Sequence, residues 1–293
     1  MTARIPPTED SHPSGGLDLL ATPELVGRIV EDQLAAVEAV LARRDAIAAA
    51  VDEISDRLRR GGSLHYVGAG SSGRIGALDA AEIPPTFGTS PAQVRATIAG
   101  GPAAMAHAVE GAEDDASAGD AAMRECVATG DAVIGISAGG GAAFVVAALE
   151  RARALGAYTV AITAVADAPL VAAASVAIVL ATGAEVVAGS TRLKAGTAQK
   201  IALNAISTAV MVRLGRVHDN LMVDVVATNR KLRARALRLV AHVARVDQAR
   251  ARELLERAGG RVKIAIVMAR RDVGASEAAA LLEGCGGVLR ALL

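Results

Sequence analysis

The stretch LHYVGAGSSGRIGALDAAEIPP, Leu64 to Pro85, decides the fold. An apolar run, Leu64 to Val67, reads as a strand entering a tight turn at Gly68-Ala69-Gly70, where Ser71 and Ser72 add two hydroxyls. A helix follows, carrying Arg74, Asp79 and Glu82, and Pro84-Pro85 is expected to stop it. Glycines let a backbone come close to a ligand, and free amides at a helix start favour an anion such as a phosphate. Gly68, Gly70 and Gly73 also match the spacing of a dinucleotide fingerprint. However, the next strand, Gln93 to Ala99, runs into a neutral Ile-Ala-Gly where the acidic ribose partner belongs. A phosphosugar or similar small anion is therefore preferred to NAD or FAD, with a turn that serves only packing as the bland alternative.

Outward from this stretch the chain alternates. Strands are expected at 64–68, 94–99, 132–137, 158–163 and 175–180, with helices near 73–82, 102–110, 115–129 and 142–155. Runs such as Ala132-Val133-Ile134-Gly135-Ile136 are apolar on both faces, as parallel strands covered by helices are. The fold class is α/β, a doubly wound sandwich around a five-stranded parallel sheet, with ligands beyond the carboxyl ends of the strands. A helical region from Pro23 to about Arg59 precedes it, with Thr22 as cap. A long helix is expected from Ala198 to about Leu214, and a small three-helix cap closes the chain. The boundaries drawn are 1–60 for the arm and helical region, 61–230 for the α/β domain and 231–293 for the cap.

Of 293 residues, 52% are hydrophobic, enough for one substantial core, and 31 basic residues balance 31 acidic ones. That balance argues against nucleic acid or an anionic membrane as main partner. Tyr66, Phe87, Phe144 and Tyr158 are the only aromatics, too few for base-stacking platforms. Two isolated cysteines, Cys126 and Cys285, form neither a zinc cluster nor a disulfide framework and suit a reducing cytoplasm. No secretion signal is read at the N-terminus, and Thr159 to Thr182 reads as two buried strands around a turn.

Three groups carry candidate chemistry. Glu82 is expected near the C-terminal end of its helix, facing the negative end of the helix dipole, which suits a group that delivers a proton. About 14 Å of helix separates it from an anion at Gly73, so Glu82 is either a structural capping or packing residue or serves a pocket completed by another element or subunit. Glu113 sits in Glu110-Gly111-Ala112-Glu113-Asp114-Asp115, which reads as an acid cluster, a magnesium site or the start of the next helix. Ser190-Thr191-Arg192-Leu193-Lys194 offers hydroxyls and cations for a second anionic group. Cys126 lies in a helix with no visible partner, so nucleophilic catalysis is not favoured.

Four segments taken together, 68–88, 108–115, 183–200 and 220–229, resemble the N-acetylmuramic acid 6-phosphate etherases of the sugar isomerase (SIS) superfamily. The resemblance covers nearly the whole chain. It implies a dimeric enzyme that uses no metal or nucleotide. The substrate would be N-acetylmuramic acid 6-phosphate, cleaved at its D-lactyl ether to give N-acetylglucosamine 6-phosphate and D-lactate. By position it makes Glu113 the base that takes the C2 proton and Glu82 the acid that protonates the leaving oxygen. Ser71, Ser72, Ser137, Gly139, Gly140, Ser190, Thr191, Lys194 and Lys263 become substrate- or phosphate-binding candidates.

One loop departs from the family. Where it typically reads Ala-Ala-Ser-Gly-Arg-Thr-Pro-Tyr, this chain has Ser137-Ala138-Gly139-Gly140-Gly141-Ala142-Ala143-Phe144. Two hydroxyls and a guanidinium are lost, although a triple-glycine turn can still cradle an anion with its amides. A related lyase for a differently phosphorylated or unphosphorylated amino sugar, and a non-catalytic sugar-phosphate sensor, stay open on this ground.

Overall fold

A computed structural model describes residues 6–13, 15–227 and 229–293. Three helices come first: α1 (Thr22–Asp32), α2 (Leu34–Leu41) and α3 (Arg44–Arg59). Ala21, not Thr22, is the first N-cap, and the expected single helical region is broken at Gln33 and at 42–43. Then β1 (Leu64–Gly68), α4 (Gly70–Phe87), β2 (Val94–Ile98), α5 (Ala116–Cys126), β3 (Ala132–Ile136), α6 (Ala143–Ala154), β4 (Tyr158–Thr163), α7 (Pro169–Ala173) and β5 (Val176–Val179) alternate. The last part holds α8 (Lys194–Arg213), a hairpin of β6 (Val217–His218) and β7 (Leu221–Met222), α9 (Arg230–Ala244), α10 (Gln248–Arg257), α11 (Val262–Arg271) and α12 (Ala275–Gly284).

The five parallel strands run in the order β2-β1-β3-β4-β5. The direction of winding reverses between β1 and β3, the position at which a crevice opens at the strand ends. Register fixes what meets there, because Gly68 at the end of β1 pairs with both Ile98 of β2 and Ile136 of β3. The loops leaving β1, β2 and β3 therefore start side by side. β1 and β3 are buried throughout, with α5 and α6 packed through Met123, Phe144, Val145 and Leu149.

The chain divides into two compact units, Met1–Ala81 with Ala92–Ser207, and Glu82–Pro91 with Thr208–Leu293. The first contains the sheet. The second has its own core from α9 to α12, centred on Leu239, Val240, Leu254, Ile266 and Leu282. Among the described residues no helix is long and apolar enough to cross a membrane.

Four expectations are corrected. Helix α4 continues through Pro84 and Pro85 to Phe87, because burial of Ile83 and Phe87 outweighs the two missing amides, and Gly88 N–H closes the last turn on Pro84 O at 2.9 Å. The helix expected at 102–110 is a single 3-10 turn, Pro102–Met105. There the Arg74 guanidinium collects the carbonyls of Ala104, Met105 and His107 at 2.9, 3.2 and 3.1 Å, so helix amides do not receive them. Helix α8 begins at Lys194, four residues early, since a carboxylate caps it from outside. Among the described residues the C-terminal helices number four, not three, because α9 and α11 end on non-glycine residues in the left-handed region, Arg245 (φ 59°) and Asp272 (φ 54°).

Candidate active site

The turn after β1 is set by a close approach. A Cβ on Gly73 would lie 2.6 Å from Ile98 Cγ1 and 2.8 Å from Gly68 O, so glycine here lets α4 start directly against the strand ends. The amides of Gly70, Ser71 and Ser72 find no acceptor among the described residues, which leaves a helix N-terminus able to receive an anion. The Ser72 hydroxyl donates to Gln199 Oε1 of α8 at 2.9 Å, while Ser71 is half-buried. Further along α4, Asp79 is buried and accepts from Tyr66 Oη (2.8 Å), Asn204 Nδ2 (3.0 Å) and the Ser207 hydroxyl (3.1 Å). Burial raises the Asp79 carboxyl above its usual range against the pull of these donors, and burial together with Asp79 raises the Tyr66 phenol.

Glu82 is exposed and lies one and a half turns before the end of α4. The helix dipole acts within the last turn, so the dipole argument for Glu82 does not hold. Glu113 is exposed in a 3-10 turn, Ala112–Asp114, on the segment between β2 and α5 that Arg74 anchors. Of its acidic neighbours, Asp115 caps α5 by accepting from Ala118 N at 2.9 Å. Among the described residues no three His, Cys, Asp or Glu side chains come together as a metal site.

The triple-glycine loop is half rigid and half open. Ser137 Oγ accepts from Gly140 N at 3.1 Å, and Gly140 (φ 69°) has no room for a side chain, since its Cβ would meet Ala168 Cβ at 2.4 Å. Gly139 and Gly141 have nothing within 4 Å of an added Cβ and border a cavity of about 600 Å³ at the strand ends. At these two positions a side chain would have room.

The 183–197 segment is organised by Glu185. This fully buried carboxylate accepts from Lys194 N (3.0 Å) through one oxygen and from Ala195 N (2.9 Å) through the other, capping α8. Ser190 and Thr191 are half-buried beside it. Lys194 is buried, its ammonium donating to Asp32 (2.8 Å) and to Ala184 O (2.7 Å), with one donor left. Lys263 in the other unit is held alike, by Asp224 (2.5 Å) and Gly287 O (2.8 Å), and lines a cavity of about 730 Å³.

Cys126 does have a partner: its Sγ is 3.5 Å from His65 Nδ1. The thiol donates to Ala122 O at 2.9 Å, and the other ring nitrogen is 2.7 Å from Thr97 Oγ1. Burial, with help from Arg95, pushes His65 down to about 4, and burial pushes the Cys126 thiol up. Both groups are held neutral, the reverse of an activated thiolate–imidazolium pair. Asp79, Arg74 and Glu185 went unassigned in the sequence. Only the position of Asp79 on the turn-bearing helix hinted at its part.

Parallel sheet, winding reversal, glycine turn and serine-bearing helix start define a sugar-isomerase-type α/β protein. A model of the SIS domain matches residues 107–209, and one of the glucokinase regulatory protein N-terminal SIS domain matches 46–153. A phosphoheptose isomerase from Francisella tularensis has the same fold, with TM-score 0.53, 17% identity, and coverage of 66% of this chain and 100% of that one. Full-length likeness is narrower. The N-acetylmuramic acid 6-phosphate etherase of Deinococcus radiodurans is 48% identical over 288 residues, 98% of this chain and 94% of its own. That of Symbiobacterium thermophilum is 52% identical over 251 residues, 86% and 84% of the two chains. The chain belongs to the N-acetylmuramic acid 6-phosphate etherase family.

Proposed function

We infer that this protein is a carbon–oxygen lyase that cleaves the D-lactyl ether of N-acetylmuramic acid 6-phosphate, releasing D-lactate and N-acetylglucosamine 6-phosphate. The observation that carries this reading is the 48% identity spread over 98% of the chain. The roles of individual residues are our proposal. In the open-chain sugar the C1 aldehyde acidifies the C2 proton. Glu113 takes that proton, the C3–oxygen bond breaks, and Glu82 gives its proton to the departing lactate oxygen. Water then adds to C3 of the unsaturated aldehyde, losing a proton to Glu82, while Glu113 returns its proton to C2. Both carboxyl groups end as they began. The phosphate is received by the amides at Gly70 to Ser72 and the serine hydroxyls, with amides of 139–141, Ser190 and Thr191 completing the cradle. Lys194 orders the 183–197 segment through Asp32 and Ala184, and Lys263 keeps one donor for substrate. We place the enzyme in the cytoplasm as a homodimer, acting in amino-sugar catabolism and cell-wall recycling without a cofactor.

Exchange of the C2 proton with solvent separates the two acids. Glu113→Gln is expected to abolish exchange, and Glu82→Gln to retain it while blocking lactate release. Exchange at the normal rate in the first variant, or lactate from the second, overturns the assignment. Mixing the two inactive variants tests a shared dimer site: recovered activity means that different chains supply the two acids. A second reading, an amino sugar lacking this phosphate, is favoured by the side chains missing at Gly139 and Gly141. Equal turnover of phosphorylated and unphosphorylated N-acetylmuramic acid would select it.

A further inference from the structure

The balanced charge of the whole chain conceals a division. Residues 82–91 and 208–293 carry 16 Lys and Arg against nine Asp and Glu, whereas the rest carries 15 against 22. Within the basic unit a concavity of about 370 Å³ is lined by His218 of β6, His242 and Arg245 at the end of α9, Arg270 in the last turn of α11, and Arg290 in the closing 3-10 turn. Asp219 is its one acidic side chain. Several other arginines of the unit are engaged: Arg216 with Asp224, Arg250 and Arg257 with Glu253, Arg271 with Leu292 O. Among the described residues no side-chain hydrogen bond or ion pair engages Arg245, Arg270 or Arg290.

Helix dipoles favour cations at the ends of α9 and α11 without any ligand. They do not account for Arg290, which comes from a separate turn, nor for the buried Nδ1 of His218, which has no partner. Burial pushes the His218 ring down, as does the Arg290 charge, with Asp219 pulling the other way, so the positive field reaches the ring. Three guanidinium groups set against one carboxylate side chain repel, and forked guanidinium groups around a concavity match phosphate oxygens. The volume lies within the range of small-molecule sites.

We propose that this concavity, lined by His218, His242, Arg245, Arg270 and Arg290, is a second ligand site, for a small anion carrying more than one phosphate charge. It shares no residue with the turn at Gly70 to Ser72 and does not depend on the catalytic reading. The test is inorganic pyrophosphate added to the full-length protein with isotope-labelled histidine. The ring signals of His218 and His242 are identified by His218→Gln and His242→Gln. Saturable movement of both signals is expected, unchanged in Ser72→Ala and about tenfold weaker in Arg270→Gln/Arg290→Gln. Arg290→Gln alone provides the same comparison, with a smaller loss, if the double variant folds poorly. Still signals in the millimolar range, equal affinity in the arginine variants, or the same movement with chloride at matched ionic strength would each overturn the proposal.

Discussion

In the sheet-bearing unit, the groups we propose for an anion are backbone amides and hydroxyls at Gly70 to Ser72 and around Ser137 to Gly141. In the helical unit they are guanidinium groups on Arg245, Arg270 and Arg290. The first arrangement needs glycine, because only a bare backbone can come so close, and its donors are fixed by the strands. The second needs no special backbone but uses long, flexible side chains. Precision therefore comes from the sheet, while charge is concentrated in the helices. The first unit carries an acidic excess, so its proposed anion site would rely on geometry more than on net charge.

Each unit also buries one lysine–aspartate pair, and these offer the largest test. Lys194→Met leaves Asp32 with His12 alone, 3.3 Å away and a cation only when protonated, for an expected loss of up to about 3–5 kcal/mol in denaturant unfolding. Lys263→Met is expected to cost less, because Arg216 remains 3.4 Å from Asp224. Equal losses would remove this distinction. Next is Gly119→Ala in α5, where the new Cβ would lie 2.0 Å from Phe144 O, for an expected loss of about 3 kcal/mol and a lower Tm.

The third concerns pH. Folded His65 titrates near 4, below its ordinary 6.5, so the unfolded chain takes up the proton first as pH falls. This contribution is present above pH 6.5 and is lost as pH falls toward 4, by about 3 kcal/mol in total. His65→Asn should flatten that part of the stability profile. Fourth, Gly139→Ser with Gly141→Arg supplies the missing side chains where space exists, at φ values that tolerate them. Each new charge-assisted bond is worth about 1.5–3 kcal/mol, so KM for the phosphorylated sugar should fall about tenfold or more. An unchanged KM would mean that the phosphate does not sit over this loop. The smallest effect lies in the helical unit: Gly284→Ala in α12 meets nothing within 4 Å and should stabilise by up to about 1 kcal/mol.

The strands were legible almost to the residue because parallel strands covered on both faces are short apolar runs bounded by turns. The glycine turn was legible for the same local reason. Less visible was whatever depends on distant partners. Lys194 and Asp32 are 162 residues apart, and the sequence shows the lysine as a free cation. His65 and Cys126 look isolated until β1 and α5 bring them together. Pro84-Pro85 read as a stop because tertiary burial of Ile83 and Phe87 has no local signature. Arg245 and Asp272 end helices without the glycine that usually marks such ends. The neutral total charge hid two halves of opposite sign.

The Glu185 clamp on α8 has a further consequence for selectivity. Two long helices start from loops rich in small and hydroxyl residues, and each would attract a phosphate. At one of them an internal carboxylate already fills that role through both oxygens. The start of α8 is thus closed by an internal carboxylate, which leaves the proposed phosphate site at Gly70 to Ser72 without a rival at that helix.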